Sequence, residues 1–340
     1  MKKYVVTIII FYLITFHIDS SRAFADLKAE PVRHVHVENN KIYIDGKEFF
    51  IEGVAYGLNY PKVKHYSQIP RRILEKDFRM MEEAGINTIR TYRLVPDFIL
   101  DLAEKHNIMV IENVVYPGDW TDFNSLAELE RLKTIAVRNV TRHKNRKCIL
   151  AWDIWNDAPF TFGQQGGNVI RRYGEENVNQ FLKEIYKAIK DVDPNHMITG
   201  SNLTYSEDSI RVGTGFLDIL SYNVYIGVYD WLNGKFSYGR AKEQVENFKK
   251  ISESYNKPVI ISETGYSSYL KAADQGEVLQ GQVRAVKDAL AGIIIFEWAD
   301  EWDKAGAPCE HNNHIEEHWG IVDGHRDPKK GYYKLKEIYE

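Results

Sequence analysis

The sequence predicts an α/β protein, a single (β/α)8 TIM barrel with a short N-terminal β-hairpin extension. Apolar, β-rich runs alternate with helix-periodic ones along most of the chain, the pattern of a parallel sheet covered by helices. Eight such runs can be counted, and 340 residues accommodate a barrel of about 250 residues with insertions. No GxGxxG turn follows an early strand, which disfavours an open doubly wound sheet.

The elements follow in order. Residues 35–49 read VHVENNKIYIDGKEF, alternating runs broken at Glu38-Asn39-Asn40 and Asp45-Gly46, which is hairpin patterning. Phe49–Tyr56 reads as the first barrel strand, and Ile69–Ala84 as an amphipathic helix stopped by Gly85. Ile86–Tyr92, Ile108–Val115 and Ile149–Trp155 are strands two to four, separated by helices at Pro96–His106 and Leu126–His143. A helix at Val178–Asp191 precedes strand Met197–Ser201. Strand Leu217–Tyr225, helix Ala241–Ser254, strand Val259–Ser262, helix Val278–Ala291 and strand Ile293–Trp298 complete the series, and a last helix runs through Lys334–Tyr339. The expected organisation is a leader at 1–25, a hairpin segment at 26–48 and one barrel domain at 49–340.

The leader is read from Met1-Lys2-Lys3, the apolar run Tyr4–Phe16 and Ala23-Phe24-Ala25 before Asp26, the layout of a secretory signal peptide. That run is shorter than the roughly 20 residues needed to span a bilayer. The expected location is therefore secreted or periplasmic. Cleavage would remove three positive charges and one negative, taking the net charge from −4 to −6. A mildly acidic protein has no electrostatic reason to seek nucleic acid or an anionic membrane. The two cysteines, Cys148 and Cys309, form neither a disulfide framework nor a metal knuckle. No cofactor is expected and no oligomeric state is assigned.

In such a barrel the reactive groups stand at the C-terminal ends of strands. This rule shortens the list of acids. Strand two ends in Arg90 and Tyr92, strand four in Trp152-Asp153-Ile154-Trp155-Asn156-Asp157, strand six in Tyr222-Asn223-Val224-Tyr225. Strand seven ends Ser262-Glu263-Thr264-Gly265 and strand eight Phe296-Glu297-Trp298. Glu263 follows an apolar strand and precedes a turn, so its side chain is expected in the barrel mouth, where it could serve chemistry or only a salt bridge with Arg90. Asn156-Asp157 is also a good turn and helix start. Tyr56, at the end of strand one, is a further candidate.

These residues resemble the (β/α)8 retaining glycoside hydrolases of clan A, in particular the family 2 catalytic barrel, from about Gly53 to the C-terminus. The resemblance places Asn156-Asp157 at the family's Asn-Glu pair and Glu263, in ISETG, at its nucleophile. Arg90 in INTIRTY matches its strand-two arginine, Tyr225 its strand-six aromatic and Trp298 its strand-eight tryptophan. The ending FEWADEW…EEHWGIVDGHRDPKKGYY is similar too. It implies that Glu263 attacks the anomeric carbon, that Asp157 is the acid/base and that the substrate is an oligo- or polysaccharide. It further implies that Arg90 keeps Glu263 ionised, Tyr225 orients it, Asn156 binds the sugar hydroxyl beside the reacting carbon and Trp298 is the floor under the reactive sugar ring; Tyr56 and Asn223 are further substrate-binding candidates at their own strand ends.

One position departs from the family. Aspartate at 157 is one methylene shorter than glutamate, withdrawing the carboxyl by about 1.5 Å, and a misplacement of about 1 Å can cost on the order of a hundredfold in rate. Three readings stay open: hydrolysis, transglycosylation, and a barrel that binds glycans without cleaving them. Asp153, Glu297, Asp300 and Glu301 are alternative acids, none singled out as a donor. The segment Glu310–His318 is rich in metal-ligand types but lacks the HExxH pattern, and reads as a loop shaping the cleft. Asp119-Trp120-Thr121-Asp122 and Tyr229-Asp230-Trp231 are expected near sugar subsites. The sugar and its linkage are not legible.

Overall fold

Left-handed residues at Asn39 (φ 49°), Asn40 (φ 62°), Asp45 (φ 51°) and Gly46 (φ 77°) make the two tight turns expected after residue 35. Asparagine, aspartate and glycine are the residues that tolerate this conformation. They join β1 (Val35–Glu38), β2 (Lys41–Ile44) and β3 (Lys47–Glu48) into an antiparallel sheet. The computed structural model describes residues 33–340 except 59, 61–62, 119, 158–168, 204–211, 213–214, 231–232, 303 and 305–313. The leader expected at 1–25 therefore lies outside the described residues, as does Cys309. Among the described residues no helix is long and apolar enough to cross a membrane.

The barrel strands are β4 (Ile51–Ala55), β5 (Thr88–Thr91), β6 (Met109–Asn113), β7 (Ile149–Asp153), β8 (Met197–Thr199), β9 (Ser201–Asn202) and β10 (Leu220–Asn223). After a small hairpin, β11 (Val228–Tyr229) with β12 (Lys235–Phe236), come β13 (Val259–Thr264) and β14 (Gly292–Ile295). Every barrel pairing is parallel, and β14 pairs back onto β4. The sheet runs from β8 at one edge to β9 at the other. These two edges are one strand interrupted at Gly200, so the sheet closes on itself with eight strands. At Gly200 the Trp155 indole packs so closely that any Cβ would collide with it.

The helices are α1 (Arg71–Glu83), α2 (Asp97–Lys105), α3 (Leu126–His143), α4 (Val169–Tyr173), α5 (Glu175–Val192), α6 (Tyr238–Tyr255), α7 (Gln275–Val286) and α8 (Lys330–Tyr339). Helix α3 begins where Ser125 Oγ accepts the Glu128 N–H at 3.2 Å, and it keeps the predicted bounds. Helix α7 starts three residues before the sequence suggested, because Asp274 caps it by accepting from Gly276 N at 2.9 Å. Strand eight is shorter than predicted, ending at Ile295, and a cis peptide joins Phe296 to Glu297.

Barrel-facing Ile51, Met109, Ile111, Leu150, Met197 and Ile260 form one apolar cluster with Val35, Ile42 and Ile44 of the hairpin. The hairpin thus plugs the end of the barrel where the strands begin, leaving the other end open for chemistry.

Beside the core lies a buried ion pair. Arg326 Nε donates to Asp77 Oδ1 at 2.9 Å and Nη2 to Oδ2 at 3.2 Å, while the Tyr56 hydroxyl donates to Asp77 Oδ2 at 3.1 Å. The pair ties α1 to the segment before α8 across most of the chain. Asp77→Ala strands a buried guanidinium and is expected to lower the unfolding free energy by about 3–5 kcal/mol, read as a drop in the urea midpoint.

Candidate active site

The open end of the barrel gathers the ends of strands two, four, six and seven around Arg90. This side chain is fully buried. Its Nε and Nη2 donate to Asp153 Oδ2 at 3.0 and 2.8 Å, and Nη2 also donates to Asn156 Oδ1 at 2.7 Å. Nη1 reaches the Ser262 carbonyl at 3.3 Å and Asn223 Oδ1 at 3.4 Å. Burial is the largest influence and opposes its charge, but Asp153, Tyr92 and Glu263 together outweigh it and keep the guanidinium protonated. Asp153 is thus the main ionic partner of Arg90.

Glu263 stands at the end of β13, only 8 % exposed. Tyr92 Oη donates to its Oε2 at 2.9 Å and Tyr225 Oη to its Oε1 at 2.9 Å, so each carboxylate oxygen is held by a phenol. Arg90 Nη1 lies 3.6 Å from Oε2, farther than from Asp153. Arg90 favours the ionised form of Glu263, as expected, but does not decide the balance. Burial, helped by the Asp157 charge, pushes it up, and Arg90, Tyr92 and Tyr225 only partly counter this. Tyr92, at the end of strand two, carries no sequence signal that would mark it as a partner of Glu263. Only the fold shows it on Glu263.

Asp157 has a left-handed backbone, φ 46°. Its Oδ1 accepts from Asn223 Nδ2 at 2.8 Å and its Oδ2 from Asn156 Nδ2 at 3.0 Å. Asn223 Nδ2 also donates to Asn156 Oδ1 at 3.0 Å, and Ser262 Oγ donates to Asn223 Oδ1 at 2.9 Å. The two asparagines therefore bridge Arg90 to Asp157. Asp157 and Glu263 line one pocket of about 440 Å³, together with Asn156, Tyr92, Phe296 and Glu297.

Two expected pocket residues lie elsewhere. Trp298 is fully buried, edge-on to Tyr332 at 6.4 Å and close to Asp77. Tyr56 is 1 % exposed and bonded to Asp77. Both belong to the buried cluster around Arg326 and cannot touch a ligand in the mouth. The aromatic that lines the pocket from strand eight is Phe296, two residues earlier. It packs edge-on against Tyr92 at 6.3 Å and Trp319 at 5.9 Å, and Trp319 also meets Tyr225 at 5.0 Å. The strand ends at Ile295, so the strand rule that puts residues two apart on one face does not extend to Phe296 and Trp298.

The remaining acids divide clearly. Asp300 is buried and ion-paired with Lys329 at 2.8 Å, its carboxyl pushed up to about 6 by burial. Glu297 and Glu301 line the pocket, with Lys304 Nζ 3.1 Å from Glu297. Of the polar segment 310–318, residues 310–313 lie outside the described residues. Ile315–Glu317 forms a 3-10 turn whose Ile315 carbonyl accepts from Ser267 Oγ at 2.8 Å. Among the described residues no cluster of His, Cys, Asp and Glu suits a metal. Tyr229 packs beneath Arg240 at 5.0 Å and Asp230 accepts from Asn233, so this stretch braces its own hairpin. Trp231 is not among the described residues.

A closed parallel barrel with two carboxylates at its C-terminal mouth, one gripped by tyrosines and one by asparagines, is built as a glycoside hydrolase barrel. The chain belongs to the glycosyl hydrolases family 2, TIM barrel domain, whose family model matches residues 35–340. It is 25 % identical over 251 residues to a β-glucuronidase of Rattus norvegicus, covering 69 % of this chain and 34 % of that protein. It is 23 % identical over 341 residues to a β-glucuronidase of Mus musculus, covering 91 % and 46 %. The chain thus spans a third to a half of the length of these curated relatives. Among solved structures, a β-galacturonidase from Eisenbergiella tayi bound to galacturonate superposes with a TM-score of 0.69 at 22 % identity, over 90 % of this chain and 54 % of that one. At that identity the structural likeness is one of fold.

The raised Glu263 pKa has a consequence for stability. A carboxyl whose folded pKa exceeds its unfolded one favours the fold while protonated, and that stability is lost as pH rises through the folded pKa. Glu263→Gln is therefore expected to melt a few degrees above wild type at neutral pH. The gap should close as pH falls through the carboxylate range, as read by thermal melts across pH.

Proposed function

We propose that this chain is a retaining β-glycosidase acting on a β-linked oligo- or polysaccharide, with Glu263 as nucleophile and Asp157 as acid/base. The observation that carries the reading is the pairing of a buried, doubly hydrogen-bonded Glu263 with Asp157 across one pocket. Glycosidic cleavage through an oxocarbenium-like state needs one carboxylate and one carboxylic acid so placed. Family membership and the β-glucuronidase relatives support it.

In the first step a Glu263 oxygen attacks the anomeric carbon while Asp157 gives its proton to the departing glycosidic oxygen. The C–O bond breaks and a glycosyl ester forms. In the second step Asp157 takes a proton from water, whose oxygen displaces Glu263 and releases the sugar. Tyr92 and Tyr225 fix the carboxylate against rotation, which favours a productive angle of attack. The second N–H of Asn156 Nδ2 is the group proposed for the sugar 2-hydroxyl, and Phe296 the surface under the glycone.

The backbone at Asp157 bears on the missing methylene. A left-handed φ of 46° suits aspartate far better than glutamate. The two amide donors further hold its short side chain in the pocket. The backbone thus accounts for aspartate at this position, and the amides account for the fixed place of its carboxyl. Transfer to a sugar acceptor in place of water is the same chemistry with a different second-step nucleophile.

Two outcomes test the reading. A 2-fluoro glycoside with an activated leaving group is expected to label Glu263 covalently by mass spectrometry, and Glu263→Ala to lower kcat by about a thousandfold or more. Asp157→Ala is expected to slow unactivated oligosaccharides by about 10²–10⁴ while sparing dinitrophenyl glycosides far more, with azide restoring turnover. Wild-type rates of Asp157→Ala on unactivated substrates would remove Asp157 from the acid role. Glycan binding without any labelling would favour a non-catalytic barrel.

A further inference from the structure

We propose that Trp120, flanked by Tyr116, is a stacking platform for a hexopyranose ring of the substrate beyond the scissile bond, on the leaving-group side of the pocket. The inference rests on the glycosidase reading of the same barrel mouth and specifies how far the substrate extends.

Trp120 is 67 % exposed and Tyr116 37 % exposed, while every other described tryptophan is buried or half-buried. An indole left in water forgoes the burial that elsewhere stabilises the fold, and exposed aromatic patches of this kind mark binding surfaces. The ring is also firmly presented. Gly118 N donates to Thr121 Oγ1 at 3.0 Å, Thr121 N donates to the Gly118 carbonyl at 3.0 Å, and Thr121 itself is fully buried. A Cβ on Gly118 would stand 2.5–2.6 Å from three carbons of the six-membered ring at once, which places that point over the ring face. One face of the indole is therefore seated on glycine main chain. The Tyr116 ring flanks it at 5.4 Å, inclined by 49°. The turn at Gly118–Thr121 would close with any side chain at 120, so the indole is not needed to build it.

The position selects the occupant. The turn follows β6, on the same end of the barrel as Glu263, and β6 pairs with β7, the strand that leads into Asn156-Asp157. A proton donor must stand beside the leaving oxygen, so the aglycone extends from the side of Asp157. Strand β7 is flanked by β6 and β8, and the loop after β6 carries Trp120 at the rim beside Asp157. β-Linked pyranoses present an apolar C–H face with hydroxyls at the edge, which suits a flat, one-sided aromatic surface with water around it.

The experiment uses the full chain as Glu263→Gln, titrated calorimetrically with β-linked gluco-, manno- and galacto-oligosaccharides of increasing length. Affinity is expected to rise with length in at least one series. Adding Trp120→Ala should weaken the longer ligands about tenfold, the effect of losing one buried ring face, and leave the monosaccharide unchanged. Trp120→Phe should retain most of the affinity, and Leu126→Ala, at 78 % exposure, should change nothing. Equal binding by parent and Trp120→Ala overturns the proposal, as does equal weakening of long and short ligands, or no gain with length in any series. Hydrolysis of aryl glycosides separates the two readings, because it requires Glu263 whether or not Trp120 carries a sugar ring. Glu263-dependent aryl hydrolysis with no Trp120 effect on oligosaccharides sinks the platform alone. Absence of both Glu263-dependent turnover and length-dependent binding sinks both.

Discussion

A guanidinium with almost no access to water must find its acceptors inside the protein, and Arg90 finds them on three neighbouring strand ends. Asp153 takes two of its N–H groups, Asn156 a third, and Ser262 with Asn223 the rest. Each of these acceptors precedes or adjoins a residue of the candidate site. Arg90 thus sets the register of strands two, four, six and seven relative to one another at the mouth. An unpaired charge there would be far costlier than a paired one, so the arrangement has few alternatives. Its proximity to Glu263 is secondary to this.

The two site carboxylates are then supported by different chemistry. Glu263 sits among rings, with Tyr92, Tyr225, Phe296 and Trp319 shielding it and two phenols supplying its hydrogen bonds. Burial raises its pKa, and the ionised form is kept in reach by directed donors. Asp157 sits among amides, which hold position without adding charge. A nucleophile needs a fixed angle and a proton carrier needs to exchange with its surroundings, so this division suits the proposed roles. The hairpin plug at the opposite end confines the open mouth to the end where these groups stand.

Much of the fold was legible because it is written in local terms. Strand and helix periods, Gly85 after α1, Ser125 before α3 and the Asn-Asn and Asp-Gly turns each act within a few residues. The strand-end rule then converted the order of elements into a short list of site residues, and Glu263, Asp157, Arg90, Asn156, Asn223 and Tyr225 do converge. Trp298 and Tyr56 were misplaced because strand-end position alone does not say whether a side chain faces the mouth or the helices. Strand eight ends at Ile295, before the residues whose facing had to be decided.

What the sequence determined by itself was the number and order of the elements, the closing of eight strands and the residue types offered at each strand end. Hydrophobic period and turn chemistry are local and survive in one dimension. The tertiary structure alone decided which partner each group takes. Arg90 chose Asp153 over Glu263, Tyr92 joined Tyr225 on the carboxylate, and Phe296 replaced Trp298 in the pocket. These choices depend on distances between residues remote in the chain and on how much water each site excludes. Neither quantity exists until the barrel has closed.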